Sequence, residues 1–143
     1  MSIQSKFNEF FNEIISRTKT NKIIWKPLTT YSANGNLEDL FQCANDMADF
    51  FANRIKYPNS YYTNNHSAGT LFLIEVYHPT TPFSGTLYLI SLDKHVRRPI
   101  NLSSYFNVAQ GDLVALRIVI ENNLVSDQVD LEGISYFIDH FFR

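Results

Sequence analysis

Apolar side chains recur every three or four residues in three stretches of the chain, which is the pattern of an amphipathic helix. These stretches run over residues 3–18, 37–55 and 128–142. In the first, Glu9 and Glu13 come early and Arg17 comes at the end, an order that suits the helix dipole. We therefore predict three helices, each with one buried face.

Strand patterns occupy residues 22–28, 59–64, 70–78 and 85–92, with a hairpin loop at 79–84 joining the last two. Because Pro27 cannot donate a backbone hydrogen bond to a neighbouring strand, the first strand is expected either to lie at an edge of the sheet or to end at Pro27. Both alternating faces of the 70–78 and 85–92 strands are mostly apolar, whereas a sheet with one wet face alternates cleanly. Both faces should therefore be covered, by helices alone or by helices and a second subunit, and a homodimer is a side prediction.

Residues 113–121 fit two patterns. Helical spacing after a capping Asp112 is one interpretation, and the β-branched run 118–120 before Asn122-Asn123 favours a strand, which we choose. The sequence thus predicts a single α+β domain over residues 1–143, with an antiparallel sheet of four to five strands packed by N-terminal, middle and C-terminal helices. The predicted core comprises Phe10, Phe11, Ile14, Trp25, Phe41, Leu71, Leu73, Leu87, Leu89, Ile134, Phe137 and Ile138.

Composition places the chain among globular proteins, with 45% hydrophobic and 18% charged residues over 143 positions. The net charge of −2 disfavours a protein whose main role is to grip nucleic acid. Cys43 is the single cysteine, so no intrachain disulfide forms, and we expect a buried, inert thiol. The first eleven residues hold no apolar signal-peptide core and no apolar run is long enough to span a membrane, so we expect a cytoplasmic protein.

Two short segments carry a resemblance to a bacterial protein family. Residues 18–25 read T-K-T-N-K-I-I-W, and residues 69–78 read G-T-L-F-L-I-E-V-Y-H. The first resembles a T-x-x-x-K-[IL]-x-W strand that follows an N-terminal helix in small proteins of low-GC Gram-positive bacteria; the second is similar to their next strand, and Leu124-Val125-Ser126 to the approach to their last helix. The resemblance implies strands at 22–28 and 69–78 and a closing helix. That family has no known activity, so it implies no catalytic residue or ligand.

Catalytic and cofactor motifs are missing from the sequence. Phosphate-binding glycine loops, the G-x-S-x-G elbow and zinc-ligand spacings are absent, so we expect no cofactor, no metal and no assigned catalytic residue. Glu75, Tyr77 and His78 lie on one predicted strand, and a carboxylate, a phenol and an imidazole can serve acid–base chemistry. The structural interpretation is stronger: Glu75 pairs with a cross-strand cation and His78 meets water at the strand end.

Basic residues concentrate in segments 17–26 and 94–98. With Tyr61 and Tyr62 they offer phosphate contacts and base stacking, as in single-strand binders. The region from residue 112 to 143 opposes this, because it has six acidic residues against two arginines, a local net charge of −4. Such asymmetry also suits charge pairing within the fold or across a dimer.

Three functional hypotheses remain from the sequence. The leading one is a non-catalytic protein–protein interaction protein, of the accessory or immunity type in bacteria, and the others are nucleic-acid binding and an enzyme using Glu75 with His78. Aromatic and arginine side chains are common interface anchors. The candidate contact residues are Tyr61, Tyr62, Arg97, Arg98, Lys22 and Lys26.

Overall fold

Five antiparallel strands form one sheet in the order β1-β2-β3-β4-β5, and helices flank it, which confirms the predicted α+β class. The computed structural model describes residues 2–31, 37–47, 54–78, 85–128 and 131–142. The strands are β1 (Lys26–Pro27), β2 (Tyr61–Asn65), β3 (Gly69–Tyr77), β4 (Gly85–Asp93) and β5 (Pro99–Asn101). The helices are α1 (Ile3–Lys19), α2 (Leu37–Phe41), α3 (Leu102–Tyr105), α4 (Gln110–Gln128) and α5 (Leu131–His140).

One face of the sheet is covered by α1 and α4. Leu113, Leu116 and Ile120 of α4 are fully buried there against Leu73 and Leu89 of the central strands. The N-terminal half of α1 is fixed by Phe7, whose ring stacks on Phe106 at a centroid distance of 4.1 Å. Its C-terminal end is held to the chain leading into β1.

That C-terminal attachment is a buried hydrogen-bond relay. The Trp25 Nε1 group donates to Thr18 Oγ1 at 3.0 Å, and Thr18 Oγ1 donates to the Ile14 carbonyl oxygen at 2.7 Å. Trp25 and Thr18 are both buried, so the relay satisfies polar groups that would otherwise cost free energy in the core. It fixes where α1 ends over the sheet.

The other face is covered by the irregular segment between β1 and β2. Phe41 of α2 meets Phe72 of β3 edge-on at 5.0 Å, and Ala44 and Met47 are buried beside them. The Asn45 side chain both accepts from the Asn101 backbone N–H and donates to its carbonyl, which closes part of the β5 edge. Elements of the same chain therefore pack on both faces of the sheet, as the two-sided apolar pattern predicts, although α1 and α4 cover their face only in part.

Residues 113–121 are helical and the predicted strand is wrong, because they form the centre of α4. The buried side chains recur at helical spacing, from Leu113 to Leu116 to Ile120, and Asp112 lies in the first turn. Packing of this stripe against the sheet outweighs the weak β preference of Ile118, Val119 and Ile120.

The predicted helix over 37–55 and strand over 22–28 are both too long. Helix α2 ends at Phe41, and Asp46 adopts a positive φ of 54°, which an α-helix does not tolerate. Residues 48–53 of that prediction lie outside the described part of the chain, and Ile55 forms a single bridge to Val76. The observed first strand is only Lys26–Pro27. It lies at an edge of the sheet and ends at Pro27.

The closing helix exists, but its predicted place in the core is wrong. Ile134, Phe137 and Ile138 of α5 are exposed by 42%, 63% and 65%. Phe10 of α1 is also 41% exposed, and Phe11 is half-buried. The other predicted core residues are buried. The predicted hairpin loop over 79–84 lies outside the described residues.

Candidate functional site

Helix α5 presents an apolar surface that no other described element covers. Every described side chain from Glu132 to Phe142 is exposed. Phe141 and Phe142 are 62% and 94% exposed, next to the isoleucines and Phe137. Apolar area of this size is normally buried in a folded chain, so its exposure makes it a candidate interaction surface.

The apolar side chains of α5 fall on one side of the helix. Ile134, Phe137, Ile138 and Phe141 follow the spacing i, i+3, i+4 and i+7, and we call them the α5 apolar face. Glu132 and Asp139 lie on the opposite side, by the helical rotation of about 100° per residue. Helices that dock into grooves of other proteins carry their anchors at this spacing.

The flank of α5 is occupied by an aromatic pair. The Tyr136 ring stacks on the His140 ring with centroids 4.0 Å apart, and His140 Nδ1 donates to the Tyr136 carbonyl oxygen at 2.8 Å. His140 lies in the last turn of α5. Tyr136 is 66% exposed, but it lies outside the α5 apolar face.

A second apolar feature is a groove of about 600 Å³ over the end of the sheet that α4 does not reach. Its floor is a row of Thr63, Leu71 and Ser91, which are register partners on β2, β3 and β4. Ile100 on β5 continues the row as the partner of Ser91 and is 39% exposed. Cross-strand partners point to the same face, so the groove lies on the side of α1 and α4, with Leu71 buried and Thr63 and Ser91 half-buried at its floor.

The walls of this groove are mainly apolar, and its lining includes one cation, Lys22, and one anion, Asp93. Phe10 and Ile14 of α1 form one wall, and Ile23 and Ile24 of the segment before β1 lie at the rim with Lys22. Phe10 and Ile24 are 41% and 56% exposed. We call the floor and these walls the sheet-end groove, and its volume lies in the range of binding sites.

The sequence-predicted carboxylate, Glu75, lies in a buried ion-pair cluster under α4. One carboxylate oxygen lies 3.7 Å from Lys56 Nζ, and the other lies 3.1 Å from an Arg117 guanidinium nitrogen and accepts from Asn59 Nδ2 at 3.2 Å. A Cβ at Gly85 would overlap this carboxylate, so glycine leaves room for it. The carboxylate thus joins β3 to α4 and to the segment before β2, which is a structural role.

Tyr61 belongs to the same cluster. Its hydroxyl donates to Glu121 Oε1 at 3.2 Å, and Glu121 lies 3.8 Å from Arg117 Nε. Burial, together with the charge and hydrogen bond of Glu121, raises the pKa of Tyr61 to about 12. The phenol therefore keeps its proton and acts as a donor that positions Glu121.

Tyr61 and Tyr62 are not exposed contact residues, which corrects the sequence prediction. Their exposed fractions are 7% and 6%, because both faces of β2 are covered. Tyr62 packs edge-on against Tyr31 at 4.8 Å on the face opposite Tyr61. Neither ring can stack on a base or insert into a partner without opening the core.

The four predicted basic contact residues are exposed and lie in separate places. Lys22 lines the sheet-end groove and Lys26 lies on β1. Arg97 and Arg98 lie in the turn after β4, where Asp93 accepts from the backbone N–H groups of Val96 and Arg98 at 2.7 and 3.0 Å. These hydrogen bonds hold the pKa of Asp93 below its usual range. Within the turn, the backbone of Arg97 has a positive φ of 56°.

The remaining sequence candidates are also located. Tyr77 is 42% exposed with Lys56 Nζ 4.7 Å above its ring, and His78 is exposed just after β3 ends. Cys43 is exposed, not buried as expected, because the turn after α2 carries it away from the apolar cluster; its thiol donates to the Asp39 carbonyl at 3.7 Å.

The described residues contain neither a metal-ligating cluster nor a membrane-spanning helix. Among them, no group of three or more His, Cys, Asp or Glu side chains is placed to hold a metal ion. The helices in the described part of the chain are too short or too polar to cross a bilayer.

The α5 apolar face and the sheet-end groove are candidate functional surfaces that the sequence analysis does not predict. The apolar stripe of α5 is visible in the sequence, but a stripe shows only that a face is buried somewhere and not which surface covers it. Comparison with protein-family models, curated proteins and solved structures gave no match. The function must therefore be argued from these surfaces.

Proposed function

We propose that this protein acts by binding another folded protein, without catalysing a reaction, and that α5 is its docking helix. The observation that carries the proposal is the exposure of the whole α5 apolar face, at 42–65% for each side chain. A ten-residue helix is marginal in water by itself, because nucleation is costly and few hydrogen bonds repay it. Contact with a partner would supply the packing that stabilises α5.

The chemistry of the partner follows from that of the helix. The α5 apolar face consists of two phenylalanines and two isoleucines, and residues 131 to 142 contain no lysine or arginine. A partner should therefore offer an apolar groove and not a charged surface. An accessory or immunity role in a bacterium, as the sequence suggests, is one form of this function.

The two alternatives have less support. Nucleic-acid binding needs exposed stacking rings near the basic segments, and Tyr61 and Tyr62 are buried. An acid–base role for Glu75 needs a carboxylate free to exchange protons with a substrate, whereas both its oxygens are held by cations and an amide.

A tagged full-length chain expressed in its native cells tests this proposal. We expect isolation to recover a second polypeptide, either another protein or an untagged copy, in near-stoichiometric amount. The double variant Phe137→Ser/Phe141→Ser should recover at least roughly tenfold less, because anchor aromatics dominate binding.

Tyr136→Ser is the matched control, since it removes an equally exposed ring of the same helix outside the α5 apolar face. It should recover as much partner as the wild type. Equal recovery with the double variant and the wild type, or no recovered polypeptide with the wild type, would contradict the proposal.

A further inference from the structure

We infer that the sheet-end groove accepts α5 from a second copy of this chain, so that two copies exchange their C-terminal helices. The inference rests on the proposed function and names its partner. The groove is open sheet with an apolar helix as one wall, and α5 is an apolar helix without a covering surface. Seated there, α5 would lie beside α1 as a third helix on this face of the sheet.

The chain's own α5 cannot easily fill the groove. Helix α4 packs against α1, and the wall of the groove is formed by Phe10 and Ile14 on α1, so α1 lies between α4 and the groove. Packed helix axes are about 8–10 Å apart. To reach the groove from the end of α4, the chain would have to cross α1, a distance of roughly two such spacings. Two residues separate Gln128 from Leu131, and this link reaches only about 10 Å. A second copy has no such restriction.

The area available suits a dimer in which the exchange is reciprocal. With about 200 Å² for a full apolar side chain, the α5 apolar face and Phe142 expose roughly 600 Å². Two reciprocally seated helices therefore bury roughly 1,200 Å² of their own apolar surface together with the part of each groove that they cover, which reaches the range of stable interfaces. A single contact would bury about half of that. The reciprocal arrangement also closes the assembly with twofold symmetry and leaves no groove open.

Charge contributes weakly to the same pairing. Lys22 lies at the rim of the groove and Lys19 is exposed at the end of α1, whereas Asp93 lines the groove from β4. Residues 131–142 contain Glu132 and Asp139 and no lysine or arginine, a net charge of −2 with neutral histidine. The two acidic side chains face away from the α5 apolar face, so their attraction to the basic rim acts over several ångströms and orients the encounter.

Sedimentation of the full chain at micromolar concentration tests the inference. We expect the wild type to sediment at twice its monomer mass of 16.6 kDa. Two double variants should each weaken dimerisation by roughly a hundredfold. The helix variant is Phe137→Ser/Phe141→Ser, and the groove variant is Phe10→Ser/Ile24→Ser. Tyr136→Ser and Tyr105→Ser, two exposed tyrosines outside both surfaces, should remain dimeric.

Mixing the helix variant with the groove variant separates exchange from other dimers. A mixed pair retains one intact contact, between an unchanged α5 and an unchanged groove, so its heterodimer should be weaker than the wild-type dimer but tighter than the dimer of either variant alone. If the groove variant dimerises as well as the wild type, or if mixing restores nothing, the groove is not the site. Circular dichroism and thermal unfolding check that each variant is folded, and Ile24→Ser alone replaces the double groove variant if it is not.

The failures of the two proposals are distinguishable. A monomeric wild type that recovers a different protein through the α5 apolar face overturns the exchange and keeps the proposed function. A monomeric wild type that recovers nothing overturns both.

Discussion

At the scale of single residues, Glu75 shows how the fold handles a charge beneath a helix. Its side chain is 11% exposed, and those of Lys56 and Arg117 are 12% and 23% exposed. Burying one of these charges alone would be costly, and the pairing makes their burial tolerable. The carboxylate works as a junction between β3, α4 and the segment before β2.

Glu75→Gln should lower the free energy of unfolding by about 2–3 kcal/mol, because it removes the counter-charge of Lys56 and leaves Arg117 with only the longer pair to Glu121. Chemical denaturation of the two proteins measures the difference. Glu13→Gln is the matched control: Glu13 pairs with Arg17 at 2.7 Å, but both side chains are more than half exposed, so its loss should cost under about 0.5 kcal/mol. Equal effects of the two substitutions would refute the structural role of Glu75.

The raised pKa of Tyr61 predicts that the protein loses stability at high pH. Its pKa is about 12 in the folded chain and about 10 when unfolded, so the unfolded state loses the phenol proton first. The contribution is therefore complete below pH 10 and is lost as the pH rises from about 10 to 12. The wild type should lose on the order of 1 kcal/mol more than Tyr61→Phe across this interval.

Unfolding free energies of both proteins at several pH values give this difference, and Tyr61→Phe keeps the ring packing so that other alkaline effects cancel. Parallel curves for the two proteins from pH 9 to 12 would show that the phenol titrates normally.

At the scale of elements, local pattern was informative where one face of a segment is packed within the chain. Helix α1 and strands β2, β3 and β4 appear within one or two residues of their predicted positions. The strand prediction at 113–121 failed because β propensity is weak and packing of Leu113, Leu116 and Ile120 on the sheet decides the conformation. The middle helix failed because the chain turns at Asp46 although its apolar residues keep helical spacing.

The candidate site was less accessible to prediction than the fold. The contact role predicted for Lys22 stays a prediction, and this residue lines the sheet-end groove; Tyr61 and Tyr62, also predicted as contact residues, are buried. Strand alternation cannot show that both faces of β2 are covered. Helix periodicity likewise shows the α5 apolar face without showing whether its cover comes from the same chain or another.

At the scale of the whole molecule, the sheet is closed on one side and half-closed on the other. The segment between β1 and β2 covers one face, whereas α1 and α4 leave the sheet-end groove on the opposite face. The exposed α5 apolar face and this groove are complementary in chemistry. The function proposed for the protein therefore depends on what covers these two surfaces.

Hydrogen exchange of the α5 backbone amides, measured on the full chain at increasing protein concentration, tests this account most directly. We predict rapid exchange over residues 131–140 in dilute solution and protection that rises with concentration, because an isolated ten-residue helix is marginal and gains its packing from a second copy. Protection should not rise in Phe137→Ser/Phe141→Ser. Strong protection of α5 that is independent of concentration would mean that the helix is covered within its own chain, and it would contradict the account.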